Sequence, residues 1–241
     1  MKVKSTILLL IGFLLSMTTF GQSVSDVFKK LNTQYTNSKP LQYATKYSLY
    51  KDYQTKVVSQ SYNGSFMKTA TNVVYMKIDD TEFINGKQFS VKINHKEKAM
   101  DVSNKPGLST AEFDMNKLLV LCKIVSYKDY KVYWEIVMTP GEYSGLTYSK
   151  IVLNINKNFT IQKQVFYYNT EVNFSTDYKK QNLSMPRLEI VYSNYNNNPV
   201  DSSKMNVYSF FSISKNNKIT ATAKYKDYEV SDVRTNVSNK K

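Results

Sequence analysis

The sequence predicts a mainly β protein of α+β type. The expected form is a single curled antiparallel sheet or half-barrel of about ten to twelve short strands, with an N-terminal amphipathic helix and a second helix packed on its concave side. Three observations carry that expectation. One early stretch has apolar residues at helical spacing. From residue 41 the period changes to two and largely stays there. Turn residues punctuate the alternating stretches, and no linker rich in Pro, Gly or Ser divides them.

Ser23 to Asp26 has the spacing of a capping box, and Val24, Val27, Phe28, Leu31 and Tyr35 then share one helical face. This helix should end near Asn37, closed by Pro40. Leu41, Tyr43, Thr45, Tyr47 and Leu49 open the alternation. Further strands are expected at 57–67, 73–78 and 82–84. Asn85-Gly86 signals a two-residue hairpin, with strands 88–93 and 98–102 beyond it. Lys105-Pro-Gly107 breaks the pattern. Ser109 and Glu112 offer a second helix start, and Met115, Leu118, Leu119 and Cys122 extend it over 109–124. Strands resume at 131–138, 148–155 and 159–168, the last two joined by a turn at 156–158. Others follow at 187–195, 207–213, 218–225 and 228–233, with a hairpin turn at Asn216-Asn217.

The first residues form an export signal. Met1–Lys4 is basic, Ile7–Leu15 is an apolar run, and Thr19 and Gly21 are small residues ahead of Gln22. The apolar run is about half the ~20 residues that a membrane span needs. A cleaved signal peptide over 1–21, one β domain over 22–236 and a disordered tail over 237–241 are therefore expected. The mature protein would be soluble and periplasmic, with an extracellular destination also open.

Composition narrows the function. The formal charge is +14 from 33 Lys+Arg and 19 Asp+Glu, and losing Lys2 and Lys4 with the leader leaves +12. The charge is almost all lysine: Arg187 and Arg234 are the two arginines. Arginine does the bidentate work of phosphate and base recognition, so nucleic acid is not expected as a partner. Diffuse lysine fits solvation and attraction to an anionic membrane surface. Seven glycines, two of them in the leader, argue against a glycine-rich nucleotide cradle. One Cys excludes a disulfide scaffold, and Cys122, in an apolar run, reads as a buried inert thiol.

The sequence offers no catalytic or metal constellation. His95 is the only histidine and reads as an exposed turn residue, so a His-built zinc site or Ser-His-Asp triad has no base. Asp79-Asp80, Glu82 and Glu135 sit among turn residues and lysines, as a solvated face would. No catalytic residue, metal or cofactor is expected, and the protein is not expected to be an enzyme. Tyr-Lys-Asp-Tyr occurs at 50–53, 127–130 and 225–228, at unequal spacing.

What remains is apolar. Val74, Met76 and Ile78 share one strand face, as do Phe89, Val91 and Ile93, then Trp134, Ile136 and Met138, then Val207, Phe211 and Ile213. In a closed sandwich these rows are core; in an open half-barrel they line a cavity for an apolar ligand, with Met adding adaptability. Val74, Met76, Phe89, Val91, Trp134, Met138 and Phe211 are the candidate lining.

The order of leader, amphipathic helix and antiparallel meander resembles the outer-membrane lipoprotein carrier superfamily. Asn63–Lys68 is similar to that family's glycine-then-aromatic strand opening, Val73–Ile78 to its next strand, and Phe83–Ile93 with Lys98–Val102 to its hairpin. Ile151–Ile155 and Ile161–Phe166 fit its later strands. Two departures stand out: the hairpin strand carries Phe89 where the family has Trp, and the family's interior Arg has no evident counterpart. The resemblance implies a half-barrel lidded by helices that holds an acyl chain without catalysis. The expectation is thus a monomeric binding protein for a lipid, acyl chain or acylated protein. The alternative is a structural or interaction component of a cell-envelope or secretion assembly, with a filled core and no ligand.

Overall fold

The computed structural model describes residues 22–104, 115–177 and 179–234. The leader, the Ser109 helix start and the tail from 237 lie outside these residues. Helix α1 (Val24–Thr36) begins as its capping box predicts: Ser23 Oγ accepts from the Asp26 N–H at 3.1 Å and donates to the Asp26 carboxylate at 2.7 Å. It ends where Asn37 donates its N–H to Thr33 O.

Strands β1 (Leu41–Tyr50), β2 (Val58–Lys68), β3 (Val74–Ile78), β4 (Thr81–Asn85), β5 (Ser90–Asn94) and β6 (Ala99–Ser103) form a meander. Helix α2 (Met115–Leu121) leads directly into β7 (Cys122–Asp129), then β8 (Tyr133–Pro140), β9 (Tyr148–Asn156) and β10 (Ile161–Tyr168). The short pair β11 (Val172–Asn173) and β12 (Leu183–Ser184) precedes β13 (Arg187–Asn196). The hairpin β14 (Phe211–Ile213) and β15 (Ile219–Ala221) and the last strand β16 (Glu229–Asp232) close the chain. Twelve strands make one open sheet in the order β16-β6-β5-β4-β3-β2-β1-β13-β10-β9-β8-β7. All its pairings are antiparallel except β16 with β6, which run parallel.

Four local expectations need correction. The second helix does not reach residue 124: it stops at Leu121, and Cys122 opens a strand that the helical spacing of Leu118, Leu119 and Cys122 concealed. The β4–β5 hairpin does not turn at Asn85-Gly86. Asn85 pairs with Ser90, Gly86 N–H donates to Phe89 O at 2.9 Å, and the turn falls on 87–88. Gly86 serves close approach instead, since a Cβ there would meet Val207 Cγ1 at 3.1 Å and Phe89 O at 3.0 Å. Residues 207–209 form a 3-10 turn rather than strand. The 218–225 strand shrinks to β15, with a 3-10 turn at Ala223–Tyr225.

Cross-strand partners share a face, so the register assigns every side chain to one side of the sheet. Tyr43, Phe66 and Met76 are successive partners across β1, β2 and β3; Ile190, Gln164, Leu153 and Ile136 are successive partners across β13, β10, β9 and β8. This is the face that α1 covers. Its core joins Val27, Phe28 and Leu31 of α1 and Leu118 of α2 to Trp134, Ile136, Met138, Leu153 and Ile155. The opposite parity of β3–β6 presents Tyr75, Ile84, Val91 and Val102, again successive partners. These build a second core with Met205, Val207, Phe210 and Phe211 from the C-terminal segment. One sheet thus carries two cores on opposite faces.

The sheet curls around the helix. Tyr127 of β7 donates to Gln22 O at 2.6 Å, and Lys68 of β2 donates to Asn37 O. The two ends of α1 are thus held by strands six steps apart in the sheet.

Candidate functional site

The seven apolar residues singled out in the sequence divide between the faces. Trp134 and Met138 are buried in the core beneath α1. Val74 and Met76 lie on that same face of β3, farther along the sheet, through their partners Lys68 and Phe66. Val91 and Phe211 are buried in the other core, with Phe89 packed against it. The structure therefore brings Trp134 together with Met138, and Phe89 and Val91 with Phe211, but not the two groups with each other. Trp134 faces inward with Ile136 and Met138, as strand alternation requires, and stacks on Phe159 at 5.3 Å.

Two anchors hold the C-terminal end of α1. Tyr35 hydrogen bonds to the Tyr195 hydroxyl at 2.8 Å and accepts the Ile161 N–H at 3.3 Å, while Tyr195 donates to Ile161 O at 2.9 Å. Burial above all pushes the Tyr35 hydroxyl up to about 12 and raises Tyr43 and Tyr195 as well. Lys68, 2% exposed, donates to Asn37 O and so places a cation at the helix's negative end. Burial lowers the pKa of that ammonium. Sequence reasoning missed Lys68; the signal available was a lysine at an inward position of a strand paired with Leu41.

The other end of α1 is held by the Tyr127 hydrogen bond to Gln22 O. A cleft of about 430 Å³ runs between α1, α2 and β7, lined by Val24, Phe28, Leu119 and Ile124, with Ser25, Lys29 and Asn32 at its margin. Ile124, in the lining, is 41% exposed, and its sequence neighbours Val120 of α2 and Val125 of β7 are exposed at 84% and 58%. Its lining combines apolar side chains with one cation, Lys29.

The remaining chemistry is structural. No group of three or more His, Cys, Asp or Glu side chains that could hold a metal occurs among the described residues. His95 sits in a turn as expected but is half-buried rather than exposed: Nε2 meets Glu82 Oε1 at 3.0 Å and Nδ1 meets the Tyr228 hydroxyl at 2.9 Å. Cys122 is buried, and burial pushes its thiol up, away from the thiolate form. Arg187 donates to Tyr53 O and Thr55 O and pairs with Glu189 at 3.0 Å. It ties down the 51–55 loop, not a helix.

The three Tyr-Lys-Asp-Tyr segments each pin a different crossing of the chain. Tyr50 lies under the Arg187 guanidinium, Tyr127 reaches Gln22, and Tyr225 packs on Phe210 at 5.2 Å while Tyr228 holds His95. They share no common partner among the described residues.

No family model matches the chain, and no curated protein matches it. Solved structures do. An uncharacterized conserved protein from Thermus thermophilus is 9% identical, with a TM-score of 0.47, over 88% of this chain and 99% of that one. A LolA superfamily protein from Nitrosomonas europaea is 10% identical at a TM-score of 0.34, over 77% and 98% of the two chains. A domain described as an outer membrane lipoprotein-sorting protein, from Vibrio parahaemolyticus, is 10% identical at 0.34, over 75% and 95%.

Proposed function

We propose that the protein is an exported, periplasmic, non-catalytic binding protein that holds the alkyl chain of a lipid or acylated protein between α1, α2 and β7. The observation that carries this reading is the apolar cleft of about 430 Å³ beside α1, within the range of small-molecule sites. Lys29 at its margin suits an anionic headgroup, and the charge of +12 left after leader removal (+14 less Lys2 and Lys4) suits an anionic membrane. Leader removal would leave α1 near the new N-terminus, as a lid held at its far end by Tyr35 and Lys68 and at its near end by the Tyr127 bond to Gln22 O. Lifting the near end, which breaks that one bond, would expose Trp134 and Met138 as a deeper floor, with Val74 and Met76 farther along the same face. Val91, Phe89 and Phe211 have no part in this reading, because they lie on the opposite face.

One observation favours the alternative of a structural envelope component. The space directly under α1 is filled: Leu31, Leu118, Ile136, Met138, Leu153 and Ile155 are fully buried there. The two readings part in one experiment. Gentle purification and native mass spectrometry, with dye displacement by fatty acids, should show a lipid-mass adduct and competition. Ile124→Asp should abolish both while leaving the fold intact. Repeated absence of adduct and displacement would leave the structural role.

A further inference from the structure

We propose a second ligand site, on the face of the sheet opposite α1, that binds a saccharide carrying an acidic substituent. A cleft of about 430 Å³ separates β3–β4 from the C-terminal segment. Its floor is aromatic: Tyr75, Phe210 and Tyr225 are each buried, with Phe210 and Tyr225 5.2 Å apart. Glu82 stands at the sheet wall. Its carboxylate is held by His95 at 3.0 Å and by a hydrogen bond from Tyr75, and Tyr228 fixes His95 from behind at 2.9 Å. A carboxylate has about four acceptor positions, so two partners leave others open to a ligand's hydroxyls.

The opposite wall carries Lys204 and Lys224, both exposed and without an ion-pair partner among the described residues. The Lys224 ammonium sits 5.1 Å over the Tyr225 ring. A simple anion would not call for a fixed carboxylate, and an alkyl chain would not call for two lysines. A sugar ring answers all three features. Its apolar face lies against the aromatic floor, its hydroxyls donate to Glu82, and its acidic group meets Lys204 and Lys224. Two sources share that chemistry, a free acidic oligosaccharide and the headgroup of an acidic glycolipid.

The test titrates the protein with trigalacturonic acid, with cellotriose as neutral control, and with vesicles of phosphatidylglycerol with and without an acidic glycolipid. Trigalacturonic acid should bind and shift the NMR signals of Tyr75, His95 and Tyr225, while cellotriose binds at least ten-fold more weakly. Binding only to glycolipid vesicles would support the site and assign the membrane source. Lys204→Ala with Lys224→Ala should weaken binding at least ten-fold, and Glu82→Gln should weaken it in a protein with unchanged circular dichroism. Ile124→Asp should leave it unchanged, which separates this site from the apolar cleft. Equal affinity for the neutral sugar, equal binding to plain phosphatidylglycerol vesicles, full binding by the double lysine variant, or no binding in any arm would overturn the proposal.

Discussion

Tyr35→Phe tests how firmly the lid helix is held. At neutral pH the substitution deletes the 2.8 Å bond to Tyr195 and leaves the Ile161 N–H without the hydroxyl that accepts it, while Tyr195 keeps Ile161 O. Leaving one buried amide short of its acceptor costs about 1–3 kcal/mol. A second effect appears in alkali. The Tyr35 hydroxyl is pushed up to about 12 from an ordinary 10.0, so the fold favours the neutral phenol. A raised folded pKa stabilises fully below the unfolded value and is lost as pH rises through the folded one. Ionising Tyr35 therefore costs the fold up to about 2.7 kcal/mol, a loss that begins near pH ~10 and is reached as pH passes ~12. Wild-type stability should therefore fall across that window, and the variant's should fall less steeply, by up to ~1.4 kcal/mol per pH unit. Urea unfolding at pH 8 and through the alkaline range, followed alongside tyrosinate absorbance, measures both. Equal stability at pH 8 together with an unchanged alkaline slope would refute the anchor.

Other substitutions probe the same architecture. Gly64→Ala should destabilise by about 1–3 kcal/mol in urea unfolding, because its Cβ would lie 2.4 Å from Thr45 Oγ1 and 2.9 Å from Lys77 O. Lys68→Met should leave Asn37 O without its buried donor, and amide exchange at 33–37 should quicken while the β3–β6 wing is unchanged. Trp134→Ala should cost about 3–5 kcal/mol, since the indole is buried between Phe159 and the inner strands, with Lys157 4.1 Å over its ring. Native Trp134 emission should accordingly be blue-shifted and resist aqueous quenchers; a red-shifted, freely quenched spectrum contradicts its position. Arg187→Ala should free the 51–55 loop, seen as faster proteolysis there without loss of the sheet.

These sites also show what the sequence could reveal. Helix α1 was legible because its cap is local: Ser23 and Asp26 bond to each other, and the apolar spacing needs no tertiary partner. The inward row Trp134, Ile136 and Met138 was legible because alternation fixes parity within one strand. Parity does not say which face a strand shares with its neighbours. Met76 and Val91 both look like lining, and only the pairings Phe66 with Met76 and Ile84 with Val91 send them to opposite sides. The β7 strand hid because helical spacing runs across the junction from Leu121 to Cys122, and because an edge strand exposes both of its faces. The cleft beside α1 was invisible for the same reason, since Leu119 and Ile124 meet Val24 and Phe28 only after the sheet has curled.

The central claim is that an alkyl chain occupies the space between α1, α2 and β7. Intermolecular NMR contacts between a 13C-labelled fatty acid and the protein's methyl groups test it most directly. Contacts to Val24, Leu119 and Ile124, strengthening as the fatty acid is added, are the predicted result. A spectrum without contacts at saturating fatty acid, or with contacts confined to Val91, Val207 and Ile219 on the other face, would contradict it.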